Sequence, residues 1–391
     1  MSGQATLASL LTEEELALQD SVRRFMRNEV QPRCAAMEGA GEPPRDLILK
    51  MGQLGLLGSF FPEEYGGSGA SIATRAIISE ETARVNAGFD ITLFADIALF
   101  ARAVSNHGTH AQKLKYLVPV LRGEKIGAMA ITETKGGSNA LGARTTGRAL
   151  GGEYVLNGAK TFITNAPIAD FILVLARTSG QERQVDGGTW FILERGTPGL
   201  STGKPFDKLG MKSSPTAEVF LSDVRVAADQ VLGEVGRGFH YLFNALDVER
   251  VLEGASTIGI AQACLDLSAA YAQQREVFGK FIAQYQLIQE KIAAMESGIE
   301  LSRTMLYRLL RAVDRGEKIT REAAILKLYS SQMAVQAAAD AVQIMGGYGY
   351  MEDNQVARLF RDAKHHEIGA GTSEIMKIII AREALKRYPG N

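Results

Sequence analysis

The sequence predicts an α+β protein built from three segments: a helical one, a small antiparallel β-domain and a bundle of long helices. Three observations carry this. Apolar residues recur at helical spacing up to about residue 125. From 126 to 230 that period gives way to short β-branched and aromatic runs separated by Gly, Pro and Asp. From 231 to 391 helical texture returns in stretches of many turns, which points to an antiparallel bundle.

In the N-terminal segment (1–125), "TEEELALQDSVRRFMRNEV" opens with a capping box, Thr12 and Glu15. Leu16, Val22, Phe25, Met26 and Val30 follow on one face, and Pro32 is expected to stop the helix. "SIATRAIISEETARV" and "DITLFADIALFARAV" are further helices, with "PEEYGGSG" as a loop before them. In the middle segment (126–230), "EYVLNGAKTFITNA" reads as two short strands around an Asn157-Gly158 hairpin turn. "DFILVLAR", "GTWFILER" and "TAEVFLSDVRV" read as strands. In the C-terminal segment (231–391) three long helices are predicted, starting near "NALDVERVL", "QYQLIQEKI" and "TREAAILKL". Their Ala-rich faces would permit close contact and association between subunits.

Composition narrows the function. The net charge of −1 and the lack of a basic tract argue against nucleic acid as a partner. No run of about 18 apolar residues suggests a membrane span. "MSGQATLASLLTEEEL" is too acidic for a signal or transit peptide, and "RYPGN" carries no obvious address, so a cytoplasmic location is expected. The two cysteines, Cys34 and Cys264, lie in apolar helical contexts and read as buried thiols. The adjacent His365 and His366 would face different ways on a helix, so no metal pair is expected. "GEVGRG" (233–238) and "GGYGY" (346–350) are rich in glycine but not set in a βαβ unit, so neither is a nicotinamide-binding fingerprint.

Five words are more specific: "MAITETKGGSNA" (129–140), "NGAKTFITNA" (157–166), "YAQQREVFGKFIAQYQLIQEKIA" (271–293), "QIMGGYGYMED" (343–353) and "RDAKHHEIGAGTSEI" (361–375). In this order and at this spacing they closely resemble the acyl-CoA dehydrogenase family of flavoproteins, over residues 12 to 388. The resemblance implies an N-terminal helical domain, a middle β-domain and a C-terminal four-helix domain. It also implies one FAD per subunit, a homotetramer arranged as a dimer of dimers, and electron-transfer flavoprotein as acceptor. Met129 to Ser138, with Ile131, Thr132 and Gly137, would line the flavin. Phe162, Ile163 and Thr164 would cover its ring; the family usually has Trp where this chain has Phe162, and a flat ring is kept. Arg275, Phe278 and Gln286, with Gln343, Gly346 and Gly347, would hold the pyrophosphate and adenosine, partly across a subunit boundary. Gly371, Thr372 and Glu374 would complete the flavin site. Ser138, Asp247 and Arg250 would meet the CoA-bearing substrate.

The family removes a proton from Cα of an acyl thioester and a hydride from Cβ. That calls for a desolvated carboxylate and for donors aimed at the thioester oxygen. Many members place a Glu just before the Gly-Thr of "GAGT"; here that position is Ala370, whose backbone N–H would still face the oxygen. A minority, isovaleryl-type members among them, carry the base on a C-terminal helix, and "LDVERVLEGA" matches them at Glu249-Arg250. Glu249 is therefore the expected base. The plain alternative is an ordinary helix glutamate paired with a cation, and Glu253, one turn on, is a rival.

"GFDITLFADIALF" carries Asp90 and Asp96 in an otherwise apolar helix near the expected acyl pocket. Asp90 reads as an N-cap; both could be structural ion pairs. In a further alternative, one is a second acid/base for 1,4-type dehydrogenation of a cyclic unsaturated acyl group. The expected substrate is a branched, alicyclic or short acyl-CoA. Two other readings stand beside it: an acyl group tethered to a carrier protein, and a flavoprotein relative that has lost dehydrogenation, which Ala370 motivates.

Overall fold

Thr12 caps the first long helix, α1 (Glu13–Phe25), as its sequence predicts, with both halves of the capping box formed. The computed structural model describes residues 10–388; the first nine and last three residues, on which the targeting reading partly rests, lie outside the described residues. Val22, Met26 and Val30 are buried on one face, with Leu16 and Phe25 half-buried beside them. Pro32 does not stop the chain's helical course. A π turn (Met26–Val30) and a 3-10 turn (Gln31–Arg33) absorb it, and a helix resumes at Cys34–Ala40. Proline at the start of a new turn gives up an N–H that had no helical acceptor.

Two helices then meet at Asn86: α2 (Ala73–Val85) and α3 (Ala87–Leu93), the latter running on as a π-helical stretch, Phe94–Ala101, and a last turn, Arg102–His107. The N-cap of α3 is Asn86, whose side chain accepts from the Phe89 N–H at 2.8 Å. Asp90 lies inside the helix and is not the cap.

The middle segment is one eight-stranded mixed sheet: β1 (Gly127–Ala130), β2 (Thr146–Leu150), β3 (Glu153–Thr164), β4 (Phe171–Arg177), β5 (Gly188–Glu194), β6 (Leu200–Thr202), β7 (Thr216–Ala227) and β8 (Val231–Leu232). The expectation of a purely antiparallel domain fails at β1, which pairs parallel with β4. The expected Asn157-Gly158 hairpin is also absent. Both residues sit inside β3, a single twelve-residue strand, at a register shift against β7. The hairpin turn lies earlier, at Gly151-Gly152, whose φ of 62° and 87° suit a tight β2–β3 reversal.

The C-terminal segment contains α4 (Gly238–Ala272), α5 (Gln286–Asp314) and α6 (Thr320–Met345), then α7 (Gln355–Ala363) and α8 (Ser373–Leu385). "GEVGRG" forms the turn that leads into α4, and "GGYGY" ends α6 in a 3-10 turn. A Cβ at Gly259 of α4 would stand 2.2 Å from the Glu80 carbonyl, so α4 and α2 are in backbone contact there. The bundle core is continuous with α2 and α3, and a second core joins the N-terminal helices to one face of the sheet. Cys34 and Cys264 are buried free thiols.

Candidate active site

About a third of the way along α4, a helix that packs on α2, α6 and β5, lie Glu249 and Arg250. Glu249 is only 5% exposed and lines a narrow cavity with Ala98, Leu99, Arg102, Met129, Trp190 and Leu242. The cavity holds about 20 Å³, little more than the ~10–15 Å³ that one water needs. No described residue hydrogen-bonds to the Glu249 carboxyl. Burial lifts it to about 7, against the attraction of Arg102 and Arg250 and with a small push from Glu253. A carboxylate that is dry, unpartnered and near neutral in its titration can take a proton from a weak carbon acid.

Arg250 turns the other way. It donates to the Asp247 carboxylate at 3.2 Å and reaches the Ala370 carbonyl at 3.5 Å. Asp247 also accepts from Thr320 at 2.5 Å. Ala370 stands at φ 49° and Gly371 at φ 101°, so the loop before α8 bends sharply. Thr372 caps α8. The Ala370 N–H has no acceptor among the described residues and is free to donate outward.

The two β-domain words come together through the backbone, where the Thr161 N–H donates to the Thr132 carbonyl at 2.9 Å. Lys160 is buried beneath them and donates to the Ile131 carbonyl at 3.1 Å and to Glu133 at 2.7 Å. Phe162 stands at φ 57° and is 67% exposed, while the Ile163 side chain turns into the core and Thr164 is half-buried. Gly137 and Ser138 are exposed on the neighbouring loop. A second cleft, about 480 Å³, is lined by Arg275, Gly346, Gly347 and Tyr348 among others. Phe278 is 94% exposed at the tip of the ribbon β9 (Glu276–Val277) and β10 (Lys280–Phe281); Gln286, at the start of α5, and Gln343, near the end of α6, are also exposed. Glu374 is exposed in the first turn of α8.

Three family models match the chain in the same order as its segments: acyl-CoA dehydrogenase N-terminal domain at residues 12–124, middle domain at 128–224 and C-terminal domain at 236–385. The chain belongs to the acyl-CoA dehydrogenase family. It is 40% identical over 96% of its length to the probable acyl-CoA dehydrogenase YngJ of Bacillus subtilis, 99% of which is covered. It is 38% identical to the mitochondrial isovaleryl-CoA dehydrogenase of Oryza sativa, over 98% of this chain and 94% of that protein. Its fold matches butyryl-CoA dehydrogenase of Megasphaera elsdenii with a TM-score of 0.92 at 38% identity, covering 96% of this chain and 99% of the other.

This acyl-CoA dehydrogenase is an oxidoreductase with FAD as cofactor. Its residues fit that group. Phe162 is a large apolar ring left outside the core, as a stacking surface requires. Gly137, Gly346 and Gly347 have no atom within 4 Å of where a Cβ would stand, leaving room for a cofactor to approach the backbone closely. Arg275 beside Gly346 and Gly347 supplies a cation to the larger cleft.

Asp90 and Asp96 do not join Glu249, since neither lines its cavity. Asp90 accepts from Ser79 at 2.7 Å and from Arg75 at 3.4 Å, a structural pair. Asp96 has no cationic partner among the described residues. One oxygen accepts from the Gly127 N–H at 2.6 Å, the other has no partner, and burial pushes the carboxyl well above its usual range. Glu253, though buried, points to His366, 3.8 Å away. Two residues escaped sequence reasoning. Arg102 lines the Glu249 cavity, and Lys327 donates to the Gly371 carbonyl at 2.5 Å. Each is a lone cation in an apolar helical run, the same signal that singled out Asp96.

Proposed function

We propose that this enzyme oxidises a short or branched acyl-CoA between Cα and Cβ, with Glu249 as the base. The observation that carries this is the Glu249 carboxyl itself: buried, without a partner, lifted to about 7 and facing a cavity beside Met129. FAD, when bound, supplies the hydride acceptor. Glu249 takes the Cα proton. The Ala370 N–H donates to the thioester oxygen, and that bond strengthens as enolate charge builds. Asp247, Arg250 and Ser138 meet the CoA-bearing part of the substrate. Leu99, Trp190 and Leu242 exclude water, which keeps the carboxylate basic.

A short or branched acyl group is the proposed fit to the apolar lining that Leu99, Trp190 and Leu242 form beside Glu249. Asp90 and Asp96 lie outside the cavity and are tied to Ser79, Arg75 and Gly127, which disfavours 1,4-dehydrogenation through them. The exposed Phe278, Arg275 and Gln286 suit cofactor contacts made across a subunit boundary, as in a homotetramer. Electron-transfer flavoprotein is the proposed acceptor, and the cytoplasm the proposed location.

The test is anaerobic mixing of the holoenzyme with straight, branched and alicyclic acyl-CoAs, read by bleaching of the visible flavin band. Rapid bleaching by short or branched thioesters is expected. Bleaching only by carrier-protein thioesters would move the assignment to a tethered substrate. Bleaching by neither would remove α,β-dehydrogenation.

A further inference from the structure

Besides Glu249, the cavity holds one other charged side chain, the guanidinium of Arg102. It enters from the last turn of the helical run that begins at α3, out of the apolar stretch Phe94–Ala101. Its Nη1 is buried with no hydrogen-bond partner, and no carboxylate among the described residues forms an ion pair with it. Glu249 acts on it only at a distance. The other polar residues of the lining are neutral: Asn106, His107, Tyr241 and Trp190. His107 stacks on Tyr241 at 3.9 Å, the Tyr241 oxygen accepts from the Glu234 N–H at 3.1 Å, and the Trp190 indole donates to the Gly238 carbonyl at 2.8 Å.

Arg102 is half-buried as it stands; a purely hydrocarbon acyl tail would close the cavity over it and leave the guanidinium desolvated without a partner, which is costly for a cation. Glu249 cannot serve as its partner and remain free as the base. A planar guanidinium matches a carboxylate in two parallel hydrogen bonds. We propose that Arg102 is a specificity-determining residue that pairs with a carboxylate at the far end of the acyl group, so that the preferred substrates are short acyl-CoAs with an acidic terminus. This rests on reading the Glu249 cavity as the acyl site. The distal carboxylate is a spectator to the chemistry: the Cα proton goes to Glu249, the Cβ hydride goes to FAD, one C=C bond forms and the carboxylate is unchanged.

Binding tests this apart from turnover. The probes are 2-enoyl thioesters, which the enzyme cannot oxidise further between Cα and Cβ. Pairs of matched length, one ending in carboxylate and one in methyl, are titrated into the holoenzyme at four, five and six acyl carbons. At one length the carboxylate member binds roughly 10- to 100-fold tighter, the range a desolvated charge-assisted pair gives. Arg102→Leu brings that ratio to about one, and Arg102→Lys retains part of it. Equal or tighter binding of the neutral member at every length overturns the proposal, and this comparison needs no variant. Bleaching by the saturated counterparts decides the dehydrogenase reading separately. Selective binding without bleaching would sink that reading and leave the Arg102 pairing standing, and bleaching by neutral thioesters alone would do the reverse.

Discussion

The ammonium of Lys327 on α6 donates to the carbonyl of Gly371 at 2.5 Å. Together with the longer contact from Arg250 to the Ala370 carbonyl, this bond ties the loop that presents the Ala370 N–H to the bundle. The loop needs tying because Ala370 holds a left-handed conformation that a non-glycine residue adopts only at a cost. Lys327→Met leaves the Gly371 carbonyl without its donor and removes a buried bond to a charged group, destabilising the protein by about 1.5–3 kcal/mol. Denaturant unfolding reads the loss. A drop in turnover larger than any rise in KM would show that the loop's donor is misplaced in the transition state.

The titration of Glu249 sets the pH profile. Only its carboxylate form accepts a proton, so the rate of flavin reduction at low substrate rises with pH and is half-maximal near the value of about 7. Arg102 and Arg250 pull that value down, so Arg102→Leu moves the midpoint to higher pH. Stopped-flow reduction between pH 5.5 and 9 measures both. A rate independent of pH across neutrality contradicts the assignment.

The same group weakens the fold at alkaline pH. Its folded value of about 7 lies above the ordinary 4.5. Its contribution to stability is therefore intact below pH 4.5, falls as pH rises and is gone above pH 7, where a buried charge must be carried. Glu249→Gln avoids that charge. It raises stability at pH 8 by on the order of 2–3 kcal/mol and leaves it nearly unchanged at pH 4.5. Thermal midpoints of the two proteins at both pH values give the comparison.

Phe162 tests the flavin surface. Its exposed ring contributes little to the core, so Phe162→Ala costs little folding stability but weakens FAD retention by about 10-fold. Phe162→Trp keeps FAD, since it restores a flat ring at the same position. Dialysis followed by flavin absorbance reads both variants.

α5 was legible as a helix because it buries one apolar face, α4 by its length of uninterrupted helix-forming sequence although its middle is buried all round, and the capping box at Thr12 fixed the start of α1. Local turn chemistry did less well. Asn157-Gly158 looks like a hairpin, yet pairing with β7 on one side and β2 on the other carries β3 through it with a register shift in place of a turn. Pro32 looks like a stop, yet a 3-10 turn accommodates it. Both are cases of tertiary packing overriding a local preference. At the site, Glu249 was legible because the loop position that usually carries the acid is Ala370. Asp90 and Asp96 stood out by type, but their partners Ser79, Arg75 and Gly127 come from elements that only the fold brings near. Arg102 and Lys327 stood out by the same lone-charge criterion and were passed over because arginine and lysine more often extend their charge into water.

The most direct test of Glu249 as the base is a single anaerobic turnover of the Glu249→Gln holoenzyme, with Glu253→Gln beside it. Glutamine keeps the shape and the helix but cannot take the Cα proton. The account predicts that flavin reduction by a thioester active with the wild type falls by at least about 10²- to 10⁴-fold in Glu249→Gln, while Glu253→Gln, altered on the His366 side, stays within about 10-fold. Full-rate bleaching in Glu249→Gln would contradict it.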